Sequence, residues 1–371
     1  LALYPISAAA HALLLFSDPA PGALLQSPPS AITLTFTEPV IPAGTGIRVF
    51  SPSGLQLAAQ ARPSGRTLAA ALTSTETGSY VVTWQVLAAD THPSRGAYGF
   101  TVGRPSANPY SPLLSGGEIG TATPLGFVLQ ALARWMHFFG VALSFGVIIY
   151  QRLTWPEPRL GRVVKGGLVL LIAAEPVALL AQLASLSIDG GTAIAVMASG
   201  FGRLLGLRLA VAVLLWAILA LDAFWPVLGL AAAMALIDGA TAHAIPGLPG
   251  AGLALSTVHV AAMGLWVGGL VGILSAPPIR ATSSLRRNRG GKYVLAAFAV
   301  SVASGLLLAF AHVGVPQGLL ATGYGWALVG KVAVVGIALA VGLLGRRRAE
   351  LGAVAIILAA AAVLVSLPPP R

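Results

Sequence analysis

The run Val258-His259-Val260-Ala261-Ala262-Met263-Gly264-Leu265-Trp266-Val267-Gly268-Gly269-Leu270 lies in the middle of an uncharged stretch from Leu253 to Ser275. A stretch of that length spans a hydrocarbon core of ~30 Å as an α-helix. Its His and Met are four residues apart, so they share one helix face. Ionisable groups inside such spans are costly and tend to be functional. Outward from this run, the chain after residue 125 is a series of similar segments. Eight are expected, at about 126–150, 164–187, 204–222, 225–244, 253–275, 293–315, 325–345 and 350–367. Residues 125–371 therefore read as an all-α polytopic membrane bundle.

Composition supports this. Of 371 residues only 9% are charged and 56% are hydrophobic, yet the formal charge is +11. So few charges cannot coat a soluble domain, whose charged fraction is usually about a quarter. The basic residues also cluster. Arg152, Arg159, Arg162 and Lys165 follow the first span. Arg280, Arg286, Arg287, Arg289 and Lys292 follow the fifth, and Arg346, Arg347 and Arg348 follow the seventh. These are alternate loops with only Glu157 and Glu350 as acids. The positive-inside rule puts them in the cytoplasm and both chain ends outside. The excess charge sets topology, and no nucleic-acid partner is expected. There is no Cys, which excludes disulfides, thiolate zinc sites, iron–sulfur clusters and cysteine nucleophiles.

Residues 11–103 differ. Asp18, Glu38, Glu76 and Asp90 balance Arg48, Arg62, Arg66 and Arg95, and Met and Lys are absent. Ile32-Thr33-Leu34-Thr35-Phe36 alternates apolar and polar, and Tyr80 to Val86 does so in part. Ile47–Phe50 and Tyr98–Val102 add short runs, with Pro and Gly turns between. This pattern predicts an all-β sandwich or barrel. Residues 104–124 are rich in Pro, Ser and Gly and read as a linker. Residues 1–10 end in Ser7-Ala8-Ala9-Ala10 and read as the tail of a signal peptide, with cleavage before His11.

The six His are His11, His92, His137, His243, His259 and His312, and none lies in an expected cytoplasmic loop. A terminal His11 offers an α-amino and an imidazole nitrogen. Asp90 and His92 add a carboxylate and a second imidazole. That nitrogen-rich set suits tetragonal Cu(II), with zinc less favoured. On spacing alone, a His-Pro turn at His92 and a cleavage-site position for His11 account for both residues as well as a metal does. In the bundle, His243, His259 and His312 fall toward the outer ends of their spans. Met234 and Met263 add thioethers, which suit Cu(I). His137, Asp238 and Glu175 are expected along the path or around its ligands. Glu175 is expected to neutralise Lys331 or to line a polar path with it, or to act as a proton relay; Arg134 is expected to snorkel or to pair with a carboxylate, and Arg203 and Arg208 are expected as anchors.

Several motifs carry a resemblance. His11-Ala12, Ser17-Asp18-Pro19-Ala20, Leu34 to Val40, Gly78 to Trp84, Asp90-Thr91-His92-Pro93 and Gly96 to Phe100 resemble the CopC family of periplasmic copper-binding proteins, in order from end to end. The resemblance implies a Greek-key β-barrel binding Cu(II) through His11, Asp90 and His92. It places Glu38 near the site, around the ligands. The middle residue of the Asp-x-His motif is usually Gly in that family and is Thr91 here. The methionine-rich Cu(I) site of some members is expected to be absent. Thr241-Ala242-His243-Ala244, Val258-His259 with Leu265 to Leu270, and Thr322 to Trp326 with Lys331 resemble the CopD family of copper-resistance membrane proteins. Its usual Gly before the first His is Ala242 here. The domain order resembles CopC–CopD fusions of the YcnJ type.

The expected function is copper binding outside a bacterial cytoplasmic membrane and transfer of copper into or across it. Copper ions, the lipid bilayer and periplasmic copper chaperones are the expected partners, and no enzyme activity is expected. The rival readings are a non-transporting copper sensor or store, and a haem- or copper-dependent membrane oxidoreductase.

Overall fold

The computed structural model describes residues 12, 14–57, 60–88, 93–115, 123–154, 161–186, 188–221, 223–241, 245, 249–275, 284–313, 323–343 and 347–366. They divide into two compact units. One holds the β-domain, the chain from there to 128, and residues 179–203; the other holds 129–178 and the rest of the helices from 204 onward.

Among the described residues, the β-domain has nine strands: β1 (Leu14–Asp18), β2 (Leu24–Leu25), β3 (Ala31–Phe36), β4 (Val40–Phe50), β5 (Gln56–Leu57), β6 (Arg62–Ser64), β7 (Thr67–Ala71), β8 (Gly78–Ala88) and β9 (Pro93–Val102). They form two sheets, ordered β1-β3-β7-β6 and β2-β9-β8-β4-β5. Alternation along each strand explains the sandwich. Ile32, Leu34 and Phe36 of β3 face inward, as do Tyr80, Val82, Trp84 and Val86 of β8 and Tyr98, Phe100 and Val102 of β9. Trp84 pairs with Gly96 across the β8–β9 ladder. A Cβ on Gly96 would lie 2.6–2.9 Å from atoms of the Trp84 indole. The glycine is therefore what lets that ring lie over β9, edge-on to Phe36 at 5.1 Å.

The expected linker is partly structured. Asn108 donates from Nδ2 to the carbonyls of Ser51 and Ser79, both at 2.9 Å. Tyr110 stacks on Phe50 at 3.9 Å. Residues 106–110 thus dock on the sandwich, because one amide satisfies strand-end carbonyls there.

The helices are α1 (Pro124–Val141), a π-turn (Ala142–Gly146), α2 (Val147–Thr154), α3 (Gly161–Ser185), α4 (Gly190–Ala198), α5 (Gly200–Ile218), α6 (Phe224–Ala240), α7 (Pro249–Leu274), α8 (Ser284–Val313), α9 (Gly323–Leu343) and α10 (Arg347–Ser366). Among the described residues, six stretches are long and apolar enough to cross a membrane, the α1–π-turn–α2 unit counting as one. The remaining apolar helices, Phe224–Ala240 and Gly352–Ser366, are shorter, so six of the expected eight segments meet the full length. Leu207, Leu214, Trp216, Phe310 and Trp326 are exposed, which suits hydrocarbon surroundings. The sequence pattern assigned no element to α4. Asp189 caps it by accepting from the Thr192 N–H at 2.8 Å, and its Val196 packs with Ala43 and Leu87 of the sandwich.

Glycines set the helix crossings. A Cβ on Gly140 of α1 would lie 2.8–2.9 Å from backbone atoms of Gly167 and Leu171 on α3. A Cβ on Gly268 of α7 would meet the backbone of Ala142 and Gly146 in the π-turn, and one on Gly146 would meet Gly264. The chains touch backbone to backbone, which only small residues permit.

Two outcomes follow. Gly268→Leu forces α7 off the π-turn and costs about 1–3 kcal/mol or more, whereas Gly166→Ala, with open space around it, is tolerated. Thermal unfolding of the detergent-solubilised chain measures both. In the β-domain, Glu76 accepts from the Ser53 N–H at 3.0 Å and the Ser53 hydroxyl at 3.1 Å. These bonds, led by the backbone N–H, hold its carboxyl below the usual carboxylate range. A carboxyl lowered by folding stabilises above its unfolded range and loses that contribution as pH falls through the folded value. Acid titration of the unfolding midpoint is expected to show this step in the wild type and not in Glu76→Gln.

Candidate functional site

The strand register builds one end of the sandwich. Leu14, opening β1, pairs with Phe36, closing β3. Residues 37–39 lead from there to Val40, which pairs with Ala88 at the end of β8. Leu87 in turn pairs with Pro93, opening β9. The start of β1, the Glu38 turn, the end of β8 and the start of β9 therefore meet at one end. His11, Asp90 and His92 lie outside the described residues, but their described neighbours on the chain are Ala12, Ala88 and Pro93. Ala12 is buried in the sandwich core. Glu38 is half-buried. Burial pushes the Tyr98 hydroxyl up to about 12.

A family model described as the CopC domain matches residues 14–103. Copper resistance protein C of Xanthomonas campestris pv. juglandis is 33% identical over 106 residues, covering 26% of this chain and 83% of that protein. Through its β-domain, the chain belongs to the CopC family. Among solved structures, CopC from Methylosinus trichosporium OB3b is 30% identical, covering 27% of this chain and 100% of that one, with a TM-score of 0.24. PcoC, a methionine-rich copper resistance protein from Escherichia coli, is 27% identical, covering 25% and 99%, with a TM-score of 0.23. Each of these likenesses covers about a quarter of the chain. The CopC domain here contains no Met.

In the helical unit, three expected residues come together with a fourth. His137 of α1 places Nδ1 3.2 Å from Glu175 Oε1 on α3. Its Nε2 lies 3.0 and 2.9 Å from the two oxygens of Asp238 on α6. Arg208 of α5 pairs with Asp238 at 3.0 Å and donates to Thr241 Oγ1 at 3.0 Å. His137, Glu175 and Asp238 are all buried. Glu175 thus lies against His137 rather than Lys331, because α1 and α3 cross closely. Arg208 is an ion-pair partner rather than an anchor, and its position eight residues into an apolar helix was the available signal. Arg134 donates to Ser366 Oγ at 2.8 Å. The ring nitrogens of His137 point in opposite directions, so these donors do not converge. Among the described residues, no group of three His, Asp or Glu could hold a metal ion.

His259 and Met263 line a cavity of about 130 Å³ with Trp266, Phe298, Ser301 and Lys331. His259 Nδ1 lies 3.0 Å from the Ser301 carbonyl and 3.1 Å from Ser304 Oγ. A carbonyl only accepts, so Nδ1 carries the proton and Nε2 of the neutral ring keeps a lone pair. That nitrogen and the Met263 thioether are soft enough for copper, but the Lys331 ammonium opposes a bare cation there. Met234 is fully buried in a separate apolar cluster with Phe145 and Leu215. His243 lies outside the described residues. His312 lies on α8, and its side chain is outside the described set.

Asp238→Ala strands Arg208 and His137 without their shared carboxylate. Breaking a buried pair this way costs about 3–5 kcal/mol. Thermal unfolding of the full chain is expected to show it, and a midpoint equal to wild type rules the network out as a structural tie.

Proposed function

We propose that this protein binds copper outside a bacterial cytoplasmic membrane and passes it into or across that membrane. The observation that carries this reading is a CopC-family domain joined in one chain to a body with six candidate spans. His11, through its α-amino group and imidazole, with Asp90 and His92 supplies a Cu(II) site. The strand register supports it, since the chain on either side of the β8–β9 connection and the start of β1 meet at one end. Glu38 stands at the same end and orients a ligand. The helical body acts as a CopD-type partner, receiving copper toward His243, His259 and His312. The basic alternate loops support a cytoplasmic placement for those loops and an external placement for the β-domain. The role is binding and translocation rather than catalysis.

Cu(II) titration of the full chain beginning at His11 tests the capture step. His92→Ala is expected to weaken binding by at least about tenfold, or about 1.4 kcal/mol. A chain retaining residues 1–10 is expected to bind more weakly, because the α-amino ligand is lost. Unchanged affinity in His92→Ala rules the site out. Copper content of cells with and without the gene tests translocation, and equal content favours storage or sensing.

A further inference from the structure

The contact between His137 and Glu175 has a charge that the rest of its network does not fix. Asp238 is ion-paired with Arg208 and takes the Nε2 side of His137 with both oxygens. Nε2 therefore keeps its proton. On the other side, Nδ1 and Glu175 Oε1 stand 3.2 Å apart. With neither protonated, two lone pairs face each other. With one proton between them, carried by either atom, the contact is satisfied. The network of His137, Glu175, Asp238 and Arg208 then has net charge 0, and without the proton it has −1.

Two further features sit at this contact. Glu175 Oε2 is buried with no hydrogen-bond partner among the described residues, so that carboxyl is under-satisfied on its far side. Both helices that carry the pair are also irregular beside it. Pro176 stands inside α3 and removes the N–H that the Ile172 carbonyl would take. The π-turn begins five residues after His137, and such turns often mark functional sites. The other charged groups nearby are accounted for. Arg134, one turn earlier on α1, is turned to Ser366. On α7, which crosses the π-turn, the one ionisable residue is His259, and it is turned to Ser301 and Ser304 on α8. The acids after residue 124 are Glu157, Glu175, Asp189, Asp222, Asp238 and Glu350, and only Glu175 and Asp238 fall inside described helices of the bundle away from their first turns.

We propose that His137 Nδ1 and Glu175 Oε1 form a one-proton site and that this proton is exchanged against a copper cation moving through the bundle. The linkage rests on the translocation reading above. The balance is simple. The proton leaves the pair for water, the network goes from 0 to −1, and a copper ion restores neutrality, having been reduced from Cu(II) to Cu(I) outside the bundle by a one-electron small-molecule reductant of the ascorbate class. Within the bundle no electron is transferred.

Purified full-length protein in vesicles, with a pH-sensitive dye inside, tests the linkage. Cu(I) kept reduced with ascorbate is added outside, and lumenal copper and pH are followed together. One proton is expected to move for each copper ion, and both movements are expected to be lost in Glu175→Gln. Copper that moves in the wild type without a pH change overturns the linkage and leaves translocation standing. If copper does not move, translocation and the linkage both fall. The site itself is then judged by nitrogen-15 NMR of the same full-length protein. His137 Nε2 is expected to stay protonated while Nδ1 titrates, and Glu175→Gln is expected to move that event by about 1–3 pH units. An Nδ1 signal unaffected by Glu175→Gln overturns the site.

Discussion

His137 has a carboxylate on each side of its ring, and an imidazole meets two acceptors only when both nitrogens carry protons or an acceptor carries one. That constraint organises the first half of the bundle. His137, Glu175, Arg208 and Asp238 come from α1, α3, α5 and α6. Apolar packing in lipid gives these helices little reason to choose one depth or rotation over another. Four directional partners do give one. Buried ion pairs are weak evidence for stability, and their better-attested role is to fix register. Here an apolar cluster draws Phe145 from the π-turn after α1, Leu171 from α3, Leu215 from α5 and Met234 from α6.

The network requires close helix approach, and glycine supplies it. α1 touches α3 through Gly140 and Gly167, and the π-turn touches α7 through Gly146, Gly264 and Gly268. The run that marked the membrane fold in the sequence does several jobs along α7. Gly268 faces the π-turn, Gly269 faces Tyr293 and Val294 of α8, and Gly272 faces the Tyr150 ring of α2. Trp266 lies tilted against Phe298 of α8 at 5.0 Å. Small residues on two sides and an aromatic between them let one helix hold several neighbours.

What the sequence reveals follows from the range of each interaction. Strands β3, β8 and β9 are legible because their alternation is local and their inward residues are large. β2 and β5, of two residues each, carry no periodic signal, and β1 exposes Leu15 and Phe16, which breaks its alternation. α4 is nine residues long, below the length at which periodicity shows, although its Asp189 cap is a readable sign. His137 and Glu175 are separately conspicuous in apolar spans. Their pairing depends on which helices become neighbours, and sequence spacing does not encode that. The same limit misassigned Glu175 to Lys331 and Arg208 to an anchoring role.

The described bundle keeps its soft ligand atoms apart from its negative charge. His259 Nε2 and the Met263 thioether offer ligands on α7, but the Lys331 ammonium shares their cavity. The carboxylates on α3 and α6 offer negative charge, but His137 and Arg208 already neutralise it. A cation in low dielectric needs both ligation and charge compensation. Ligation at His259 without compensation leaves two like charges in one apolar cavity. Compensation at Glu175 without ligation leaves a copper ion with one oxygen. A copper ion therefore crosses this bundle only if it draws on the two regions in turn, or if a positive charge leaves as it enters. The second route supplies the compensation, because the proton shared by His137 and Glu175 is the positive charge that leaves, while ligation still falls to groups such as His259 and Met263.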